Sequence, residues 1–310
     1  MNRYSLRGSS SKSAQAATNL SESRIILRKF VYLVLVLGAL GPGLAWSQTP
    51  SPLQEWQYSG GIALAQLFEP KQPDWRVITG LAAEAEPVYS GARATRIYGG
   101  PVFNIRYKDI AFFSAGEGLG YNFLRGRYYR VGVSVGYDSG RREADEYDHL
   151  RGLGNISIAP TVKLFGSYVL SKSFPVVVQA DIRQVIGGAD GTIGDLEAYM
   201  PLPGSSKGFV MFLGPSITWA NHSYLQHVYG VNQGQSLASG DPIFNVHGGT
   251  NSWGLGFSAT KFFTQHWLLN VDAAYSRLRG GAAESPITES RVQRGLALSL
   301  VYRFGQQQGW

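Results

Sequence analysis

The stretch "RGLALSLVYRF", Arg294–Phe304, decides the fold because its side chains alternate between two kinds of surface. One side of the extended chain carries large apolar residues: Leu296, Leu298, Leu300, Tyr302 and Phe304. The other side carries small or charged residues together with one valine: Gly295, Ala297, Ser299, Val301 and Arg303. Alternation with a period of two predicts a β-strand that is apolar on one face.

The same alternation recurs along most of the chain. It predicts strands near 56–67, 75–85, 94–107, 110–122, 128–138, 155–169, 174–186, 207–220, 222–229, 252–263, 266–278 and 292–304. A soluble β-sandwich also alternates. Here, however, the second face is rich in glycine, serine and single charges, a composition that suits the filled or wet interior of a barrel.

Aromatic residues gather at the ends of the apolar faces, as they do at the two interfaces of a membrane. One predicted group comprises Trp75, Tyr107, Tyr137, Trp253 and Tyr275. The other comprises Tyr129, Trp219, Phe263, Trp267, Tyr302 and Phe304. Because a closed barrel is the one β-structure that leaves no unpaired backbone in lipid, the sequence predicts a transmembrane β-barrel.

Twelve antiparallel strands are expected, or ten if 56–67 and 222–229 are not part of the wall. Outer-membrane barrels have short periplasmic turns, long outer loops and both termini in the periplasm. The long connections predicted to face outward are 139–154, 187–206, 230–251 and 279–291. Counting back from a periplasmic C-terminus makes strand 75–85 run toward the periplasm, with 56–67 as an upward strand before it.

The N-terminal residues have the order of a secretory signal peptide: basic residues, an apolar run over 30–45, then small residues. Cleavage is expected after Ser47, with Ala45 as the second choice. This divides the chain into a signal peptide, 1–47, and a barrel, 48–310. The alternative is a membrane anchor, which the short run and Pro42 disfavour.

Charge and cysteine content exclude several classes of function. Residues 1–47 carry a net charge of +5, so removing them reduces the +7 of the whole chain to +2. The high isoelectric point therefore belongs mostly to the export signal and gives little support for nucleic-acid binding. The chain has no cysteine, which excludes disulfides, thiolate catalysis and a lipid-modified N-terminus.

Three local patterns resemble chemical motifs, and none predicts a catalytic, cofactor or metal site. "GVSVG", 132–136, matches the G-x-S-x-G elbow, but Ser134 falls in mid-strand rather than at a sharp turn before a helix. "EYDHLR", 146–151, is the best histidine-containing loop for a hydrolase, and a solvated loop is the favoured interpretation. "GGADGTIGDLE", 187–197, lacks the acid spacing of an EF-hand.

The charges on the inward face are the candidate functional residues. By alternation they are Arg106, Arg130, Lys163, Asp181, Arg183, Asp272 and Arg303. They would either line a channel and set its ion preference, or pair across a plugged interior. The alternation within the strands is compatible with both an open channel and a plugged interior.

Several segments carry a resemblance to a known family. They are "EPVYSGA" (86–92), "GEGLGYN" (116–122), "YDSGRRE" (137–143), "HLRGLGNI" (149–156), "GGADGTIGD" (187–195), "HW" (266–267), "RLRGGAAESPIT" (277–288) and the closing "YRF" (302–304). Over about 75–304 the chain resembles the MipA/OmpV family of outer-membrane proteins. It departs from the family's usual Gly-Asp-Ala-Ala at Gly281, which stands where the acid is expected.

The resemblance implies a location in the outer membrane of a Gram-negative bacterium, in contact with its lipid. It also implies a non-enzymatic scaffold that bridges a lytic transglycosylase and a penicillin-binding protein in peptidoglycan remodelling. A narrow solute channel is the alternative, and an adhesin acting through the outer loops comes third. Tyr302 and Phe304 resemble the terminal signal that the barrel-assembly machinery reads.

Overall fold

In the computed structural model, residues 74–171, 175–206 and 208–304 are described, and within them twelve antiparallel strands form a closed barrel. The strands are β1 Trp75–Pro87, β2 Thr95–Tyr107, β3 Ala111–Ser114, β4 Gly118–Arg125, β5 Tyr129–Asp138, β6 Ala159–Val169, β7 Val177–Val185, β8 Gly191–Pro201, β9 Phe209–Ala220, β10 Gly249–Phe262, β11 Trp267–Leu278 and β12 Val292–Phe304. Loop helices are a 3₁₀ turn at Glu143–Asp145, α1 Tyr147–Leu150, α2 His222–Tyr229, α3 Gln233–Ser239 and α4 Gly280–Glu284. No helix in this described part of the chain is long and apolar enough to cross a membrane.

β12 closes the barrel against β1, as its alternation predicts. Val77 lies opposite Phe304 and Ala85 lies opposite Leu296. Leu298 and Leu300 are about half exposed on the outer face, at 48 % and 47 %, whereas Ala297 is fully buried between strands on the inner face. The predicted all-β barrel and the lipid-facing side of the terminal strand are therefore confirmed.

The wall is built from partly different segments than the alternation predicted. Because β1 begins where β12 ends, it runs away from the periplasm, so the predicted direction of 75–85 is wrong. The predicted strand 110–122 is a hairpin of two short strands, β3 and β4. The predicted outer loop 187–206 contains β8, and the predicted strand 222–229 is α2. The predicted strand 56–67 and the cleavage site at Ser47 lie outside the described residues.

Each correction has a local physical cause. At Gly118 the backbone has φ of +70°, and a Cβ there would collide with the carbonyl of Val135, so only glycine lets the chain turn back. The Asn221 side chain accepts a hydrogen bond from the Tyr224 N–H and so caps α2. In β8 the inward face carries Asp195 and Glu197. The segment resembles a loop because it is rich in glycine, at 187, 188, 191 and 194.

Two aromatic girdles are present, but three residues belong to the opposite end from the one predicted. The rings of Trp75 and Tyr107 lie 4.6 Å apart at the end where β1 starts, which is the periplasmic end that also holds Trp267 and Tyr302. Trp219 lies at the outer end, opposite Thr250. All three errors follow from the reversed directions of the first strands and of β9.

The outer end is closed by a folded cap, formed by the loops 88–94, 139–158, 221–248 and 279–291. Two apolar clusters fill it, one around Tyr224 and Leu225 of α2 and one around Leu150 and Ile287. The Tyr229 hydroxyl lies 2.6 Å from the Ser90 Oγ, and burial raises the pKa of Tyr229 to about 12. Because a buried hydroxyl is costly unless it is hydrogen-bonded, the contact with Ser90 lets Tyr229 lie within the apolar core of the cap.

Candidate functional site

All seven predicted inward charges are buried on the inner face of the barrel. Three belong to ion pairs on the inner face, between neighbouring strands and turns of the wall. Arg183 Nη2 lies 2.7 Å from Asp195 Oδ2, Lys163 Nζ lies 2.9 Å from Glu117 Oε1, and Arg130 Nη2 lies 2.8 Å from Asp109 Oδ2. In the first two pairs both side chains are nearly inaccessible. Burial of charge is tolerated where each charge has a partner.

The other inward charges also have close neighbours. Arg303 Nη2 donates to the Gln265 carbonyl at 3.2 Å, and its guanidinium lies 5.4 Å from the ring centre of Phe262. Arg106 Nε donates to Asn104 Oδ1 at 3.3 Å. Asp272 accepts a short hydrogen bond from the Asn270 amide. Asp181 lies opposite Asp195 in the β7–β8 register. The pairing within the interior argues for a structural use of these charges; their predicted effect on ion preference stays a prediction.

Three of the acidic partners were missed at the sequence level. Asp195 fell in the segment predicted as a loop, although the alternation of inward Asp195 and Glu197 with outward Leu196 was a usable signal. Asp109 lies in the turn before β3 with φ of +53°, and Glu117 lies in the turn after β3. Nothing in a period-two pattern assigns turn residues to the interior.

Aromatic side chains fill the interior where inward glycines leave room. A Cβ at Gly120 would collide with the ring of Phe112, and a Cβ at Gly132 would lie 2.5 Å from the ring of Phe165. The two rings lie 5.9 Å apart. Ser134, on the same strand as Gly132, is buried in mid-strand. The glycines of "GVSVG" therefore serve packing, and the motif lacks the sharp turn that a nucleophile elbow requires.

The half of the interior lined by β9–β12, β1 and β2 carries smaller and more exposed inward side chains than the β5–β8 half. Its partly exposed inward residues are mostly small: Gly80, Ala82, Gly100, Ser216, Ser258, Thr260, Asn270, Ala274 and Gly295. On the β5–β8 side the inward residues are mostly buried and include the ion pairs. Any passage through the interior would therefore follow the small-residue side.

In the cap, His149 joins two loops by contacts at both ring nitrogens. Nδ1 lies 2.9 Å from the Glu146 carboxylate and Nε2 lies 3.1 Å from Glu289 Oε1. The hydrogen bond to Glu146, followed by the nearby negative charges, raises the pKa of His149. The three residues offer ligand atoms within 4.8 Å of one another. Both nitrogens face carboxylates, however, and this suits an imidazolium that donates twice. The described bonds of His149 include none to a serine or threonine hydroxyl, which is what a hydrolase would need.

We expect His149→Ala to loosen the cap in a pH-dependent manner. Because the folded-state pKa is raised, the contribution of the imidazolium is complete below the unfolded value of 6.5 and is lost as pH rises through the folded value. The side chain is half exposed, so the effect on global stability is small. Amide hydrogen exchange of 139–158 and 279–291 should be faster in the variant at acidic pH and equal to wild type at alkaline pH.

The matched control is His227→Ala, because His227 is exposed and its described hydrogen bond lies within its own helix, to the Ser223 carbonyl at 2.7 Å. Exchange in the two loops should not change in that variant. A loosening by His149→Ala that was the same at every pH would show that lost packing, and not charge, accounts for it.

The periplasmic rim carries an excess of exposed basic residues. Among the described residues these are Lys108, Arg125, Arg127 and Lys261. The exposed acid nearby is Asp74, whose Oδ2 lies 3.3 Å from Lys108 Nζ. The remaining arginine and lysine side chains at this end therefore give the rim a positive potential toward the periplasm.

Comparison with known proteins gives the family of the chain. Among solved structures, the CymD monoaromatic hydrocarbon channel is 10 % identical, with a TM-score of 0.40 over 84 % of this chain and 94 % of that chain. The translocator domain of the autotransporter NalP from Neisseria meningitidis is 12 % identical, with a TM-score of 0.37 over 78 % and 92 %. LpxR from Salmonella typhimurium is 9 % identical, with a TM-score of 0.38 over 74 % and 99 %.

These likenesses are too low to decide anything about this chain, and no curated protein sequence matches it significantly. The family comparison is different in kind, because it rests on the sequence over most of the barrel. Residues 79–304 match the family described as MltA-interacting protein MipA. The chain is an outer-membrane β-barrel of a Gram-negative bacterium and belongs to the MipA family.

Proposed function

We propose that the protein is a non-enzymatic interaction protein that anchors a peptidoglycan-remodelling enzyme at the periplasmic face of the outer membrane. The family description, an MltA-interacting protein, suggests a lytic transglycosylase as the partner. A penicillin-binding protein as a second partner rests on the family resemblance alone. The observation that carries the proposal is the exposed basic rim, Lys108, Arg125, Arg127 and Lys261, at the end that faces the periplasm.

The rest of the barrel supports this role over that of a wide pore. The charges of the interior are held in buried contacts, and the cap closes the outer end over two apolar clusters. The periplasmic turns are short, so a partner would meet charge rather than a large apolar surface. Exposed charge of this kind speeds encounter and selects partners of opposite charge more than it adds affinity.

The test is to reverse two rim charges with Arg125→Glu and Arg127→Glu in one variant. We expect binding of a purified lytic transglycosylase to the refolded barrel to weaken by roughly tenfold, which is ~1.4 kcal/mol. Added salt should weaken wild-type binding in the same direction, because exposed pairs are screened. Surface-based affinity measurement in detergent or nanodiscs gives both quantities.

Arg93→Glu with Arg151→Glu is the matched control, since these arginines are exposed at the opposite, outer end. It should bind the transglycosylase as wild type does. Equal loss in both variants would point to a non-specific effect of net charge. Wild-type-like binding in the rim variant would remove the support for the rim as the contact surface.

A narrow solute channel is the second candidate, favoured by the partly exposed small residues on one side of the interior. Single-channel recording on the refolded barrel tests it. Ala274→Trp adds bulk on the inner face of β11, and Ala273→Trp adds the same bulk on its lipid face. A channel predicts reproducible open steps that Ala274→Trp reduces and Ala273→Trp leaves unchanged. A silent wild-type barrel would exclude it.

A further inference from the structure

The barrel wall is low on one side, between β2 and β5. β1 pairs with β2 along the whole of Trp75–Pro87, whereas β3 pairs with β2 only from Asn104 to Tyr107. The turn after β3 adds one bond, from the Ala115 N–H to the Phe103 carbonyl at 3.2 Å. Within the described ranges no strand pairs with 95–102 on that side. We call this gap above the β3–β4 hairpin the notch.

The notch opens into the outer half of the membrane. Trp75 and Tyr107 face each other in the periplasmic girdle, and Leu81, opposite Pro101, lies six residues further along β1. With a rise of ~3.3 Å per residue and a tilt of ~40°, this places Pro101 roughly 15 Å above the girdle. The hydrocarbon core is about 30 Å thick, so the hairpin ends near its middle. The missing wall therefore faces the outer leaflet.

Backbone N–H and C=O groups of β2 face the notch without a neighbouring strand among the described residues. Because the Phe103 carbonyl points toward β3 and alternate residues point the same way, the backbone groups of Pro101, Gly99, Ile97 and Thr95 face the notch. Pro101 has no N–H to leave unpaired, which is why proline is tolerated at edges. The remaining N–H and C=O groups would be costly in pure hydrocarbon. Whatever fills the notch must therefore offer hydrogen-bonding groups.

The side chains at the notch are apolar outside and polar inside. Ile97 and Leu81 are 78 % and 70 % exposed, against 47 % for Leu300 on the complete part of the wall. The inward residues of the same strands include Tyr98, whose hydroxyl donates to Glu84 Oε2 at 2.5 Å. A molecule entering here meets apolar flanks first and a polar interior behind them.

A second copy of the chain does not suit this edge. Two barrels with the same orientation in the membrane are related by an axis along the membrane normal. Rotation about that axis reverses the tilt of β2 within the membrane but keeps its direction from periplasm to outside. The two β2 edges would therefore cross at twice the tilt angle, ~80°. Strands at that angle cannot form a ladder. A second barrel is therefore not the occupant, and the lipid of the outer leaflet is the material that surrounds the notch at this height.

We propose that the notch is a lateral binding site for an outer-leaflet lipid. Its acyl chain lies against Leu81 and Ile97, and hydrogen-bonding groups of its head region pair with the backbone groups of Thr95, Ile97 and Gly99 that face the notch. An amphiphile of this type satisfies both surfaces at once: apolar chain to apolar flank, and polar head to unpaired backbone. The proposal is independent of any partner at the periplasmic rim.

Photocrosslinking in native outer-membrane vesicles tests it. A benzophenone amino acid replaces inward Tyr98 beside the notch or, as matched control, inward Ser167 on the complete wall of β6. The expected result is a lipid adduct, seen by intact mass, at 98 and none at 167. Outward Ile182, on the lipid face of β7, serves as the positive control. Absence of the adduct at 98, with the adduct at 182 present, would overturn the proposal.

A second variant tests whether the lipid reaches position 98 through the notch. Lengthening the β3–β4 hairpin by about three residue pairs between Ser114 and Gly118 would extend the wall toward the outer interface. The adduct at 98 should then be lost, while that at 182 remains. Persistence of the adduct at 98 would mean that lipid does not enter through the notch. If the lengthened barrel fails to fold, the comparison of 98 with 167 still decides.

A water-filled notch is the competing outcome. Because the chain has no cysteine, Gly99→Cys would carry its only thiol. With lipid in the notch, this thiol should resist a membrane-impermeant maleimide. Rapid labelling at 99, combined with no lipid adduct at 98, would show that water and not lipid satisfies the edge.

Discussion

Replacing Arg183 with alanine is expected to lower the free energy of unfolding by about 3–5 kcal/mol, the usual cost of breaking a buried ion pair on one side. Arg183 Nη2 and Asp195 Oδ2 lie 2.7 Å apart, and the two side chains are only 7 % and 4 % exposed. Removing the guanidinium leaves a buried carboxylate that has lost this cation, although it still accepts a hydrogen bond from the Thr218 hydroxyl at 2.5 Å. Urea unfolding in detergent or lipid measures the loss.

Two controls separate charge from packing. Arg183→Met with Asp195→Leu removes both charges and keeps the volume, so it should cost much less than the single variant. Lys108→Ala breaks an ion pair with Asp74 whose side chains are 44 % and 71 % exposed, and the free energy of unfolding should stay close to that of wild type. A small cost for Arg183→Ala would mean that water reaches Asp195, and the interior would then be wet on that side.

The second large effect is expected on the lipid face of β12. Leu300→Arg should destabilise the barrel by about 2–4 kcal/mol, the cost of a cation at the middle of the membrane. Leu300 lies opposite Leu81, at the height where the β3–β4 hairpin ends. Folding into lipid bilayers, followed by the heat-dependent shift in gel mobility and by urea titration, measures the change.

The same strand supplies a depth control. Arg294 is a natural arginine at the outer end of this face, and it is exposed. Leu296, one step below it on the same face, pairs with Ala85 near the top of β1. Leu296→Arg should therefore cost only about 0–1 kcal/mol. Equal costs at 296 and 300 would contradict the assigned membrane position of the strand.

Much of the fold could be read from local alternation because a barrel strand carries its environment in its own side chains. β5, β7 and β12 each place apolar residues on lipid and small or charged residues inside, and their faces agree with the prediction. The predicted number of strands also agrees. It does so partly because two errors offset each other: α2 was taken as a strand, and β8 was taken as a loop.

The errors have a common origin in the physics of short apolar segments. "HSYLQHVY", 222–229, has residues that fit either period, and its helix is selected by the Asn221 cap and by burial in the cap core. The break between β3 and β4 depends on one glycine with positive φ. Pro101 is a signal for the free edge of β2 that the alternation did not reveal.

The candidate site also has features that local alternation determined and features that depend on tertiary contacts. The sequence by itself determined that the protein is an outer-membrane barrel and which charges face inward, because period two is a local property of each strand. Only the tertiary structure decided that Arg183 meets Asp195, that His149 reaches Glu289 and that the wall is low beside β2. These features depend on which strands and loops meet in three dimensions, and the alternation within one strand does not encode that.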